Sequence, residues 1–551
     1  MADSPTRRMD RSLLAGVLLA ALLTASYKAW LILSGAVDNL AGDASVRAFL
    51  ANYCRTDVLR FLAHDMWHIH WPPGQFLLLA AVAKMADALH IGVHHVTIYL
   101  LASVLSFGAA QVLVYVLGRE THSPRMGVLA FIVFSGIGLP NYLSLTTLSE
   151  PFVLPFLLSA LLYVVRFERG RSGILPGALL LLAASLFRTE VVFIAGLLFG
   201  RLLMRRSIRP AFILIAIAAG FTLVKVAIAA GGDSVQYLNA SQHYSFASGL
   251  SALNDLRTRV AGEFMTTYAV PLWTFGLVYL GYLLYARKVG IYGFLLIGYS
   301  IIYLVLIVLG YLPAAFRYFF LHTVLFAFIV AAGLEHLLGL PYLRDRARLR
   351  RGAAVLLAVL LGAIGIHTIR KAGVIRAGET VRQDIQTRQW LNAHLDDDDR
   401  VFFDFINFRG IYFRSYLRHH DVARNSFDYT SFYTNLPPVV RTESWEATAR
   451  EAADEPDNTA RTAGLMRATG YDYLGEYRPR YLVVAGETLF TKISRAKDRP
   501  IMVKPFLRVL DDESVTVLDI PGYPRLSRRY RLVFDNRMYQ VYEAVDDDTR
   551  P

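Results

Sequence analysis

Four short segments set ionisable residues between long apolar runs, and their residue types define the chemistry open to them. The first is Gly42-Asp43-Ala44-Ser45-Val46-Arg47, followed by Asp65, His68, His70 and Trp71-Pro72-Pro73. The second is Ser149-Glu150-Pro151, the third Phe187-Arg188-Thr189-Glu190 and the fourth Phe316-Arg317-Tyr318-Phe319. A carboxylate such as Asp43 can deprotonate or orient a hydroxyl or amine as it attacks carbon. An arginine such as Arg188 or Arg317 can hold a departing phosphate in a planar, two-pronged way. Glu150 can orient the acceptor, hold its hydroxyls, or ligate a divalent cation with Asp43. The set suits transfer of a group from a phosphate-linked carrier to a nucleophile.

Each residue also has a plainer reading. Asp43 can cap a helix through Arg47 and Phe49, and Glu150 can head one beside Pro151. Arg188 and Glu190 can form an ion pair at a hairpin tip, and Arg317 can snorkel from the end of its span. His68 and His70, two apart in an aromatic-rich loop, suit a surface better than a metal, and we group them with Arg47 and Glu190 as substrate contacts. Lys225 stands inside an apolar run, where it either pairs within the bundle or meets a lipid phosphate. Charge at membrane depth is costly, which favours function where several such residues gather.

The elements that must position these residues are membrane spans. Of 551 residues, 55% are hydrophobic and 18% charged, against about 25% charged in soluble domains. Runs long enough to cross are read at Ser12–Leu33, His95–Leu117, Met126–Tyr142, Pro151–Val165, Ile174–Phe187, Val191–Met204, Ala211–Ala230, Thr267–Ala286, Ile291–Leu312, Phe316–Leu338 and Ala353–Ile369. That makes about eleven spans. Ile174–Phe187 and Val191–Met204 are short and suggest a hairpin whose tip stops within the membrane.

The net charge of +13 would suggest nucleic acid in a soluble chain. Here arginines fill alternate loops: Arg119 and Arg125; Arg166, Arg169 and Arg171; Arg201, Arg205, Arg206 and Arg209; Arg287 with Lys288; and Arg344 through Arg351. With Arg7, Arg8 and Arg11 inside, all five loops are cytoplasmic. The four chemical segments then share the outer face. The alternation requires Pro72–His90, apolar but interrupted by Lys84 and Asp87, to lie along the outer interface rather than cross. The first run is longer than a signal-peptide core and lacks a small-residue cleavage site, so it reads as an anchor.

From about Lys371 the chain turns polar. Asp396–Asp399 reads as an acidic turn and Thr380–His394 as a helix. Val401–Phe405, Tyr481–Val484, Val515–Leu518 and Tyr539–Tyr542 alternate as strands. Glu443–Thr462 reads as a helix or loop. The expected organisation is a helical membrane domain over residues 1–370 and an extracytoplasmic α/β domain over 371–551. The single cysteine, Cys54, has no partner for an internal disulfide.

This layout resembles the polytopic, lipid-phosphosugar-dependent glycosyltransferases of the GT-C fold. Among them are protein O-mannosyltransferases, the lipid A aminoarabinose transferase and the catalytic subunit of oligosaccharyltransferase. In that superfamily an acidic residue follows the first span, interfacial helices follow it, one often opening on a Pro-Pro turn, and a second acidic residue precedes the fourth span. Gly42-Asp43, Trp71-Pro72-Pro73-Gly74-Gln75-Phe76 and Glu150 match these features. Ala44 departs from the common Asp-Glu pair, which leaves Asp43 a lone carboxylate in its loop.

The resemblance implies an inverting glycosyltransferase of a bacterial inner or plasma membrane. Its donor would be a polyprenyl-phosphate sugar and its acceptor a lipid, glycan or protein. Asp43 and Glu150 would be catalytic, and Arg188, Arg317 and Tyr318 would hold the donor phosphate. A divalent cation is the one cofactor to consider; no nucleotide-binding motif or nucleic-acid partner is expected. The alternative is a transporter or flippase of an anionic lipid, whose sites would sit at the bilayer midplane within inverted repeats. No repeat is visible.

Overall fold

The computed structural model describes residues 5–37, 42–65, 71–231, 270–309, 319–340, 379–404, 409–418, 426–428, 473–486, 507–512, 515–519 and 526–545, with scattered single positions between them. The chain divides into two compact units. One holds Met1–Asp38, Trp71–Val82 and Thr97–Arg376; the other holds Asn39–His70, Ala83–Val96 and Ala377–Pro551.

The first unit is helical. Its elements are α1 (Pro5–Leu33), α4 (His95–Thr121), α5 (Pro124–Gly136), α6 (Gly138–Leu143), α7 (Glu150–Glu168), α8 (Leu175–Ser185), α9 (Val191–Met204), α10 (Ile208–Gly231), α11 (Val270–Tyr285), α12 (Ile291–Val308) and α13 (Phe320–Leu338). The helices α2 (Gly42–Thr56) and α3 (Gly74–Ala88) lie between α1 and α4 in the chain. Among the described residues, six helices are long and apolar enough to cross a membrane, those beginning at Arg11, His95, Glu150, Ile208, Ile291 and Phe320. Four shorter apolar helices accompany them, and the expected span at Ala353–Ile369 lies outside the described residues. Leu19, Leu22, Leu23, Leu223, Val278 and Ile301 are exposed, a surface suited to lipid and not to water. With 11 and 14 residues, α8 and α9 reach about 16 and 21 Å, short of the ~30 Å core.

The expected span Met126–Tyr142 is broken. Gly136 and Gly138 flank Ile137, whose extended backbone ends α5, and glycine disfavours helix. The carbonyls released there are taken up by Asn141, whose Nδ2 donates to Ser135 O at 2.6 Å and Ile137 O at 2.8 Å. At its other end α5 is capped by Ser123, which accepts from Met126 N, with Pro124 in the first turn. There α4 and α5 meet through Gly118 and Gly127; a Cβ on Gly118 would stand 2.9 Å from the Gly127 Cα.

Helices α1 and α4 run in opposite directions. Val17 and Ala21 pack with Tyr115 and Phe131, whereas Leu31 and Ile32 pack with Leu100, Val104 and Leu145. The chain therefore leaves α1 and enters α4 at one level of the bundle.

The loop ends also sort. Arg171 pairs with Glu120 at 2.7 Å, Glu168 pairs with Arg201 at 2.6 Å and Arg205 at 3.2 Å, and the Tyr292 hydroxyl lies 3.1 Å from Thr121 Oγ1. Ser123 bonds to Glu335. Among the described residues, the helix ends around Thr121, Glu168, Arg201, Tyr292 and Glu335 thus converge at one end of the bundle.

The second unit holds α2 with the C-terminal domain. Helix α14 (Glu379–His394) leads to β1 (Val401–Phe403), α15 (Arg409–Tyr416), β2 (Phe427–Asp428), β3 (Tyr481–Ala485), β4 (Arg508–Asp512), β5 (Val515–Asp519), β6 (Leu526–Asp535) and β7 (Tyr539–Ala544). Among the described residues these strands form one mixed sheet of order β2-β1-β3-β7-β6-β5-β4. It is parallel where β1 meets β2 and β3, and antiparallel elsewhere. The four expected strands and the helix at Thr380–His394 are present. Glu443–Thr462 lies outside the described residues.

Candidate active site

In the first unit, Glu150 opens α7 and Arg188 sits in the turn between α8 and α9. Their side chains are 1% and 6% exposed, so the pair is removed from solvent. Arg188 donates through Nη1 to Glu150 Oε1 at 2.5 Å and to Ser149 Oγ at 3.3 Å. Its Nη2 and Nε donate to the two oxygens of Glu190 at 2.5 and 3.3 Å. The guanidinium also lies over the Phe320 ring, 5.2 Å from its centre. One cation is held between two acids, and Glu150 Oε2 is buried with no hydrogen-bond partner among the described residues. A buried, unsatisfied carboxylate oxygen is costly. It is suited to take a hydrogen from a bound hydroxyl or amine, or to ligate a cation. Among the described residues no group of three or more His, Cys, Asp or Glu side chains gathers as a metal site.

The segment leading to Glu150 is almost wholly buried from Gly136 onward, Tyr142 alone being half-buried. Its polar groups are satisfied locally or by neighbouring helices. Lys28, 1% exposed within α1, donates to Asn141 Oδ1 at 2.8 Å and Ser144 Oγ at 2.7 Å. Its ammonium lies 3.8 Å from the centre of the Phe107 ring and meets no carboxylate among the described residues. Ser144 and Thr146 hydroxyls donate back to Asn141 O and Leu143 O, both at 2.7 Å.

The Trp71-Pro72-Pro73-Gly74 turn joins this assembly. Gly74 N donates to Leu186 O at 2.7 Å, and Gln75, fully buried, donates to Thr147 O. Lys225 Nζ donates to Trp71 O at 3.0 Å. A Cβ on Gly74 would meet Leu186 O at 2.7 Å, so this close approach demands glycine. The turn ties the Glu150 segment to the Arg188 tip.

In the second unit Asp43 stands in the first turn of α2, and Arg47 is buried in the same helix. His68, His70, Arg317 and Tyr318 lie outside the described residues. The structure thus brings Glu150, Arg188 and Glu190 together. Sequence alone does not single out Lys28, and it marks Gln75 only as a member of the Trp71–Phe76 motif. The signal for Lys28 was a lone lysine in an apolar run; for Gln75 it was its place directly after the Pro-Pro-Gly turn.

No family model and no curated protein matches the sequence. Solved structures do match by shape. ArnT from Cupriavidus metallidurans, bound to undecaprenyl phosphate, superposes with a TM-score of 0.55 over 97% of this chain and 99% of its own, at 11% identity. The chain has the GT-C fold. A second GT-C structure, the Archaeoglobus fulgidus oligosaccharyltransferase with Zn and sulfate, gives a TM-score of 0.51 at 13% identity, over 88% of this chain and 70% of that one. The oligosaccharyltransferase AglB from Archaeoglobus fulgidus, with an inhibitory peptide and a dolichol-phosphate, gives 0.50 at 11% identity and the same coverage. The GT-C likeness is one of fold, and it accounts for a helical membrane body joined to a C-terminal sheet domain.

Proposed function

We propose that this chain is an inverting glycosyltransferase that moves a sugar from a polyprenyl-phosphate carrier to an acceptor at the extracytoplasmic face. The observation that carries the reading is the buried Glu150–Arg188–Glu190 cluster in a GT-C scaffold, the fold of ArnT solved with undecaprenyl phosphate. With the arginine-rich loops in the cytoplasm, the cluster belongs to the outer end of its unit. The acceptor and donor sugar are a lipid, glycan or protein nucleophile and a hexose or pentose respectively.

The acceptor hydroxyl or amine attacks the anomeric carbon from the side opposite the phosphate. The carbon–oxygen bond to phosphate breaks, the phosphate keeps the electron pair, and the acceptor proton passes to the Asp43 carboxylate. Arg317 and Tyr318 are assigned to the leaving phosphate. Arg188 is already engaged by two carboxylates, so we give it first the task of fixing Glu150 and only through that the donor phosphate. Glu150 Oε2 is the atom left to orient the acceptor, and it offers one ligand position should a divalent cation take part. Arg47, Glu190, His68 and His70 are assigned to substrate contacts.

The test is transfer of labelled sugar from a polyprenyl-phosphate donor in liposomes. Wild-type chain should transfer; Asp43→Asn should fold with the same melting temperature and lose at least a hundredfold in rate. Full activity in Asp43→Asn would sink the assignment of that residue. Transport of the lipid without transfer would sink the enzyme.

A further inference from the structure

The helix that carries Asp43 is buried although its sequence is polar. From Ala44 to Cys54 every residue of α2 is buried, Ser45, Arg47 and Asn52 included. Within the second unit its partner is α15 of the C-terminal domain. Phe49 and Asn52 lie three apart on one face of α2. The Arg414 guanidinium sits over the Phe49 ring, 4.5 Å from its centre, and Asn52 Nδ2 donates to Ser415 O at 3.2 Å. Arg414 and Ser415 are 1% and 0% exposed. The second contact takes up a carbonyl at the end of α15, which has no partner within that helix.

Helix α15 is in turn fixed to the sheet. Tyr416 O accepts from Asn392 Nδ2 at 3.0 Å, and the Tyr416 ring lies between the His94 ring at 5.1 Å and the Arg388 guanidinium at 4.2 Å. Arg388 and Asn392 belong to α14, whose Asp384 accepts from the Tyr539 hydroxyl and whose Thr387 hydroxyl accepts from Asn536 Nδ2 at 2.9 Å. A continuous run of side-chain contacts leads from the sheet through α14 and α15 to α2. At the far end of α2, Arg55 pairs with Asp87 at 2.7 Å.

We infer that Arg414 and Asn52 are positioning residues for the Asp43 end of α2, so that the C-terminal domain acts on transfer through that helix. This rests on the glycosyltransferase reading for its kinetic arm only. The full-length protein in liposomes is compared as wild type, Arg414→Ala, Asn52→Ala and Arg414→Lys, with Arg531→Ala at an exposed pair with Glu543 as control. Two quantities are read: amide exchange across Gly42–Thr56, and kcat and KM for the lipid-linked donor.

Arg414→Ala and Asn52→Ala should speed exchange in α2 at least tenfold while Val401–Phe403 and Tyr481–Ala485 exchange as in wild type. Their kcat should fall at least tenfold with donor KM within twofold of wild type. Arg414→Lys keeps the charge over Phe49 and should recover part of kcat, and Arg531→Ala should match wild type throughout. Unchanged exchange in α2 overturns the inference. So does faster exchange with unchanged kcat, or loss of kcat accompanied by faster exchange in the sheet strands. If wild-type chain transfers no sugar, the function reading falls, and the exchange arm alone decides whether α15 holds α2.

Discussion

The Gly74 amide donates to the Leu186 carbonyl across 2.7 Å, two residues before Arg188. A side chain at position 74 would push on Leu186 backbone atoms, with 2.9 Å to its carbonyl carbon. Gly74→Ala should therefore displace the α8–α9 tip while leaving the bundle folded. Misplacement of about 1 Å is enough to cost roughly a hundredfold in rate. Rate of transfer and melting temperature, measured together, check this; a wild-type rate would show that the tip yields without consequence.

Arg188 separates two acids in a dry site. Arg188→Ala leaves Glu150 and Glu190 buried without it, and breaking such a pair costs about 3–5 kcal/mol. A large fall in melting temperature is expected. Glu150→Gln keeps an oxygen for Arg188 and removes the charge, so it should lower transfer far more than stability. Equal loss of stability in both variants would assign Glu150 to structure alone.

The second unit should weaken on acidification. Burial, aided by Arg388 and His95, lowers the His94 pKa from 6.5 to about 3. The unfolded chain then binds a proton between about 6.5 and 3 that the folded chain refuses, so stability falls as pH falls through that window, by up to ~1.4 kcal/mol per unit. His94→Phe should flatten the slope. Melting of the C-terminal domain at pH 7, 6 and 5 reads the effect, and an unchanged slope in the variant would remove His94 as its source.

Side of the membrane can be read by cysteine labelling. Ser34→Cys and Ile91→Cys should react with an impermeant maleimide from one side, and Arg206→Cys from the other. The natural Cys54 will not compete, because it is buried and burial pushes its thiol up to about 12, against a smaller opposing influence of Lys84. Labelling of Ser34→Cys and Ile91→Cys from opposite sides would mean that α3 crosses.

Hydropathy and arginine placement made the spans legible, because lipid demands long apolar runs and topology leaves charge behind. The acidic and basic residues of the candidate site were legible as types. Their partnership was not, since Glu150 and Arg188 meet only after α7, α8 and α9 have packed. The Lys28 latch on Asn141 was hidden for the same reason. Helix α2 reads in sequence as an interfacial helix capped by Asp43 and running through Arg47 and Phe49, and its burial depends on α15, more than 350 residues later. Strand β6 is not legible in the sequence because Arg528, Arg529 and Arg531 break its apolar alternation.

The opposed directions of α1 and α4 also constrain how the protein is made. With the N-terminus in the cytoplasm, as proposed above, residues 34–94 would be carried completely across the bilayer during synthesis, although they contain the apolar helix Gly74–Ala88. The insertion machinery has to let that helix go. Its 15 residues are few for retention, and Lys84 and Asp87 add a charge penalty near its end. Replacing both with leucine would offer a segment fit to stay, and each later span would then enter the wrong way round, with the arginine-rich loops outside. On that orientation Asp87, which Arg55 and His95 hold in the finished protein at 2.7 and 2.8 Å, would first serve to keep the helix out of the bilayer as the chain is threaded.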